Sequence, residues 1–77
     1  MKYIIVESKL NGEYPVLFPE HIKHSDMAQR FQHNKIVSAG KVLFNGNEKD
    51  IVVFGNSISL GLKSKPEDTD LIRRGLI

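Results

Sequence analysis

Three histidines, His21, His24 and His33, fall within thirteen residues, with Glu20 and Asp26 beside them. Imidazoles and carboxylates are the ligands a zinc site uses when no cysteine is available. The group falls short of such a site. His21-x-x-His24 has no matched second pair, and two side chains three apart share a metal only when both face the same way. They read as surface histidines around a helix start, and neither a metal nor a cofactor is expected. Ser25 follows His24 directly, but a nucleophile and its base need convergence in space, with a third group to orient the base. The acids Glu67, Asp68 and Asp70 are the only dense carboxylate group. Complementarity to the positive end of a helix accounts for them without acid–base chemistry. Gly55 and Gly61 lack the Gly-Lys-Ser/Thr ending of a phosphate-gripping loop. The chain reads as a binding protein rather than an enzyme.

Two binding chemistries remain. A small antiparallel sheet can stack bases on aromatics and neutralise phosphates with lysines. Tyr3, Tyr14, Lys41, Lys63 and Lys65 are the residues that would build such a face. Against it, 11 Lys/Arg are balanced by 9 Asp/Glu and scattered along the chain, whereas nucleic-acid binders concentrate their charge in a stripe. Protein binding is favoured, through an edge strand or through the helix flank carrying Met27 and Phe31, with a homodimer as one form of it.

The elements that must position these residues follow from pattern. With 77 residues and no Cys, one domain, residues 1–77, must hold by packing without disulfides or zinc. An apolar fraction of 40% suits a globular chain. No apolar run reaches the length of a membrane span, and Tyr3 to Val6 is too short for a signal-peptide core. A cytoplasmic location is expected.

Lys2–Ser8 alternates Tyr3 and Ile5 against Ile4 and Val6, apolar on both faces, as a central strand requires. Asn11-Gly12 closes a hairpin, and Tyr14–Phe18 returns as an edge strand because Pro15 lacks an N–H. Pro19 to Ile22 suits a single helical turn, after which Ser25 is placed to cap a short helix ending near Asn34. On that helix Asp26 and Arg30 are spaced to pair. Lys35–Phe44 is the third strand. Its small run Ser38-Ala39-Gly40 implies either a closely packed helix or a bulge. Residues 44–50 form a polar turn, Ile51–Phe54 a fourth strand, and Ile58–Leu62 alternates as a fifth. Ser64 and Glu67 have capping-box spacing before a C-terminal helix with Leu71, Ile72 and Leu76 on its apolar side and Asp70 paired with Arg74. The expected fold is α+β: a four- or five-stranded, mainly antiparallel sheet with a short middle helix and a C-terminal helix, in the order β-β-α-β-β-(β)-α.

Ser38-Ala39-Gly40, with the string Gly55-Asn56-Ser57-Ile58-Ser59-Leu60-Gly61-Leu62-Lys63-Ser64-Lys65-Pro66-Glu67-Asp68, resembles small proteins encoded by phages and bacterial prophages. The resemblance covers roughly half of the chain and carries no catalytic motif, so it transfers no site residues. It implies an accessory factor or a stoichiometric inhibitor of a host system, binding to a nuclease complex included.

Overall fold

A computed structural model of the chain describes residues 1–10, 12–44 and 50–75. The fold is α+β. Strands β1 (Lys2–Ser8), β2 (Gly12–Phe18), β3 (Lys35–Phe44) and β4 (Ile51–Phe54) form one antiparallel sheet in the order β2-β1-β3-β4. Helix α1 (His24–Gln29) joins β2 to β3, and α2 (Asp68–Gly75) ends the described chain. Between β4 and α2 lies a small second sheet of β5 (Asn56–Ser57) and β6 (Leu62–Lys63).

The period-two alternation of β1 divides the interior in two. Tyr3 and Ile5 face Val42, Ile51 and Ile72, with Leu71 beside them, so α2 covers this side. Ile4 and Val6 face Phe18, Met27 and Ala39, under α1 and the β5–β6 hairpin. All four β1 residues are fully buried, as a strand with an apolar layer on each face must be. β2 lies at one edge, with Pro15 opposite Ile5, as its missing N–H requires.

Of the two readings of the small run in β3, the bulge holds just beside it and the closely packed helix does not. The β1–β3 pairing slips between Ile5/Ser38 and Val6/Ile36, leaving Val37 as the extra residue of a bulge. At Gly40 the close neighbour is backbone and loop rather than a helix. A Cβ there would lie 2.6 Å from the Phe54 carbonyl oxygen and 3.0 Å from Ser64 Cβ.

Several local expectations are corrected. The strand expected over Ile58–Leu62 does not form as one run; of those residues only Leu62 lies in a strand, β6. Residues Ile58–Gly61 form the turn of the β5–β6 hairpin, closed by Gly61 N–H donating to the Ile58 carbonyl and by Leu60 N–H donating to Ser57 Oγ. Gly61 has φ +67°, a conformation that glycine adopts without a steric penalty. Pro19–Ile22 is a hydrogen-bonded turn, closed by Ile22 N–H on the Pro19 carbonyl, and not a helical turn. Helix α1 is capped from Lys23, without a side-chain bond, and Ser25 is its second residue. Starting there, the helix turns His24 into the interior, where its ring packs edge-on to Phe18 at 5.4 Å. Successive i→i+3 bonds then carry the chain from Arg30 to Asn34.

At α2 the capping acid is Asp68 rather than Glu67. The Lys65 N–H donates to Asp68 Oδ2 at 3.0 Å, one residue later than a Ser64–Glu67 box, while Ser64 Oγ donates to the Gly55 carbonyl. Asp70 pairs with Arg73 at 3.5 Å instead of Arg74. Among the described residues no Asp26–Arg30 ion pair forms. Asn11, residues 45–49 of the polar turn and Leu76 lie outside the described residues.

Candidate functional site

The residues singled out from sequence for binding do not share a surface. Tyr3 is fully buried under α2, and its hydroxyl donates to Asp68 Oδ2 at 2.6 Å. Burial, followed by the neighbouring Asp68 carboxyl, pushes the phenol far above its ordinary value. Tyr14 pairs with Val6 and so lies on the opposite face of the sheet, edge-on to Phe31 at 6.4 Å. A base-stacking platform built from both tyrosines is therefore ruled out by β1–β2 pleating. Lys41 is held 3.7 Å from Glu20, whose carboxyl lies below its ordinary range chiefly because the N-terminal ammonium donates to it. Lys63 and Lys65 are exposed. Met27 is only 6% exposed and Phe31 half-buried, both turned onto Ile4 and Val6. Met27 is thus largely interior, while Phe31 lies just beyond the end of α1 with part of its surface exposed.

The histidines separate as well. The Nε2 of buried His24 bonds the Gly40 carbonyl at 2.9 Å, whereas His21 and His33 are exposed. Among the described residues no three His, Asp or Glu side chains are grouped to hold a metal. His33 borders an open groove of about 530 Å³ with Glu7, Lys9 and Lys35, where cations and an acid are mixed.

The surface that stands out is the edge opposite β2. Among the described residues β4 pairs only with β3, in the register Lys41↔Phe54, Val42↔Val53, Leu43↔Val52 and Phe44↔Ile51. Directly opposite residues share a face, so Leu43, Val52 and Phe54 lie together. They are 50%, 46% and 46% exposed. This is the same face that α1 and the hairpin cover further along β3, through Ala39 and Ile36, and the cover stops short of β4.

The free main-chain groups of β4 can be assigned. Met1 and Val42 exchange both backbone bonds, so the N–H and C=O of Val42 point toward β1. Alternation then turns those of Lys41 and Leu43 toward β4. Their partners Phe54 and Val52 point inward to β3, which leaves Ile51 and Val53 pointing out. An open groove of about 460 Å³ runs beside them, between β4 and the segment Ser64, Lys65, Pro66 and Thr69.

The two sheet edges differ in chemistry. β2 carries Pro15 and Glu13, and α2 packs against it. β4, Ile-Val-Val-Phe, has neither proline nor charge. Edge strands are normally blunted by such residues. Sequence reading placed β4 correctly but did not single out Leu43, Val52 or Phe54. An unbroken apolar run looks like a strand buried on both faces.

Comparison of the chain with protein-family models, with curated proteins and with solved structures gave no match. No helix among the described residues is long and apolar enough to cross a membrane.

Proposed function

We propose that this protein is a protein-binding module whose contact surface is the outer edge of β4, accepting an extended segment by strand addition. The observation that carries this reading is the unprotected β4 edge itself. Outward N–H and C=O groups on Ile51 and Val53 sit beside an exposed apolar strip of Leu43, Val52 and Phe54. Main-chain bonds to a sheet edge supply affinity, and pockets or strips for alternate side chains supply selectivity. A role as an accessory factor or stoichiometric inhibitor, as the resemblance to phage-encoded proteins implies, needs such a contact and no reactive centre. The nucleic-acid reading is not favoured, because Tyr3 is interior and Lys41 is engaged by Glu20.

The test uses a fluorescent peptide of alternating valine and threonine, which can pair with β4 and lay its valines on Val52 and Phe54. Anisotropy should rise on adding the protein and fail to rise with Val52→Lys. Peptide binding that Val52→Lys leaves intact refutes the site. Tight, salt-sensitive binding of single-stranded DNA or RNA, with no response to the peptide, would transfer the reading to nucleic acid.

A further inference from the structure

Resting on the reading of β4 as a strand-accepting edge, we infer that the segment it accepts alternates apolar and acidic residues, with Lys65 selecting the acids. The two faces at this edge differ in chemistry. A residue of an added strand shares the face of the β4 residue directly opposite it. Opposite Val52 it joins the exposed strip of Leu43, Val52 and Phe54, so that position takes an apolar side chain. Opposite Ile51 or Val53 it lies over the face that packs toward α2. There it enters the groove of about 460 Å³ walled by Ser64, Lys65, Pro66 and Thr69. The β4 side of that groove is aliphatic, and among the described residues Lys65 is the one charged residue that lines it.

The acids nearest in sequence do not cancel that charge. Asp68 is buried and accepts from the Tyr3 hydroxyl and the Lys65 N–H. Asp70 pairs with Arg73 at 3.5 Å. Asp50 and Glu67 do not line the groove. Lys65 is exposed, and among the described residues it takes part in no ion pair. A glutamate opposite Ile51 or Val53 can lay its methylenes on those side chains and extend its carboxylate toward the Lys65 ammonium. A lysine in the same place would meet a like charge. Acids on the other face gain no such partner, because Lys41, opposite Phe54, is already 3.7 Å from Glu20. Charge complementarity therefore applies to alternate residues of the segment only.

The test compares three end-blocked fluorescent peptides, alternating valine with threonine, with glutamate or with lysine. By anisotropy the valine–glutamate peptide should bind tighter than the valine–threonine peptide by about two- to five-fold, the range of an exposed ion pair. The valine–lysine peptide should bind more weakly than either, and high salt should level the three. Lys65→Gln should erase the preference and Lys65→Glu should reverse it. Both keep the main-chain N–H that Asp68 accepts, so both should fold, and circular dichroism checks that they do. Lys63→Glu provides the control. It changes net charge as Lys65→Glu does, at an exposed residue that does not line the groove, and the wild-type order should persist. Equal affinity for the glutamate and lysine peptides, a preference that survives Lys65→Gln, or a reversal by Lys63→Glu would each overturn the inference. The valine–threonine peptide separates the two levels. Binding of all three peptides alike overturns the acidic partner and keeps the strand-accepting edge. Binding of none removes both.

Discussion

Removing the Tyr3 hydroxyl should be among the most damaging single-atom changes in the interior. The hydroxyl sits 2.6 Å from Asp68 Oδ2, a length typical of a hydroxyl on a carboxylate. Both residues are buried to within 1% of full burial. Oδ2 also takes the Lys65 N–H, so this one bond ties the central strand to the start of α2. Tyr3→Phe keeps the ring and removes the donor. A hydrogen bond to a charged or strongly polar partner contributes about 1.5–3 kcal/mol, and the acceptor left behind cannot reach water. Against a total of roughly 4–12 kcal/mol for a domain of this size, that is a large share. It corresponds to a melting-temperature drop of about 6–24 °C at this length. Urea unfolding followed by circular dichroism should show the loss as a lower midpoint with an unchanged slope.

The alkaline limb provides a second readout with a definite sign. The folded-state phenol is held above its unfolded value, so the fold favours the protonated form. Its contribution is complete below the unfolded value of about 10 and drains away as pH rises through the folded one. Above pH ~10 the wild type should therefore lose about 1.4 kcal/mol per pH unit more than Tyr3→Phe does. A Tyr3→Phe protein within about 0.5 kcal/mol of wild type, the scatter of neutral surface changes, and with the same alkaline slope, would refute the reasoning.

Gly40→Ala should destabilise by about 1–3 kcal/mol, because the new methyl would meet the Phe54 carbonyl at 2.6 Å and main chain has to shift; thermal melting checks it. Met27→Ala should cost about 2–5 kcal/mol in the same assay by opening a cavity between α1 and the sheet, whereas a Met27 that served an interface would leave the isolated chain's stability unchanged. Ser38 carries a buried hydroxyl with no hydrogen-bond partner, so Ser38→Ala should be neutral or raise the urea midpoint.

What could be read from the sequence was whatever a single element decides for itself. The doubly apolar alternation of Tyr3–Val6 placed β1 in the sheet's centre, and Pro15 sent β2 to an edge. What could not be read depended on neighbours distant in sequence. Ile58, Leu60 and Leu62 alternate like a strand, yet Leu60 and Leu62 reach the core from a hairpin while Ile58 stands at its tip, 91% exposed. Asp68 and Glu67 are equally acidic, and only the Tyr3 hydroxyl, 65 residues away, selects Asp68 as the capping residue. The aromatic and basic residues read from sequence as one binding face do not share a face, because pleating sends Tyr3 and Tyr14 to opposite sides of the sheet. The β4 strip was hidden for the converse reason. Its residues look like core, and only the extent of α1 and the hairpin leaves them uncovered.

The central claim is that β4 is the edge at which this protein meets other chains, and residue-resolved amide exchange tests it most directly. The account predicts that Ile51 and Val53 exchange quickly in the free protein and become protected together when the peptide binds. Val52 and Phe54, already bonded to β3, should stay slow throughout. Protection that arises on β2 or α1 while Ile51 and Val53 keep exchanging freely would contradict it.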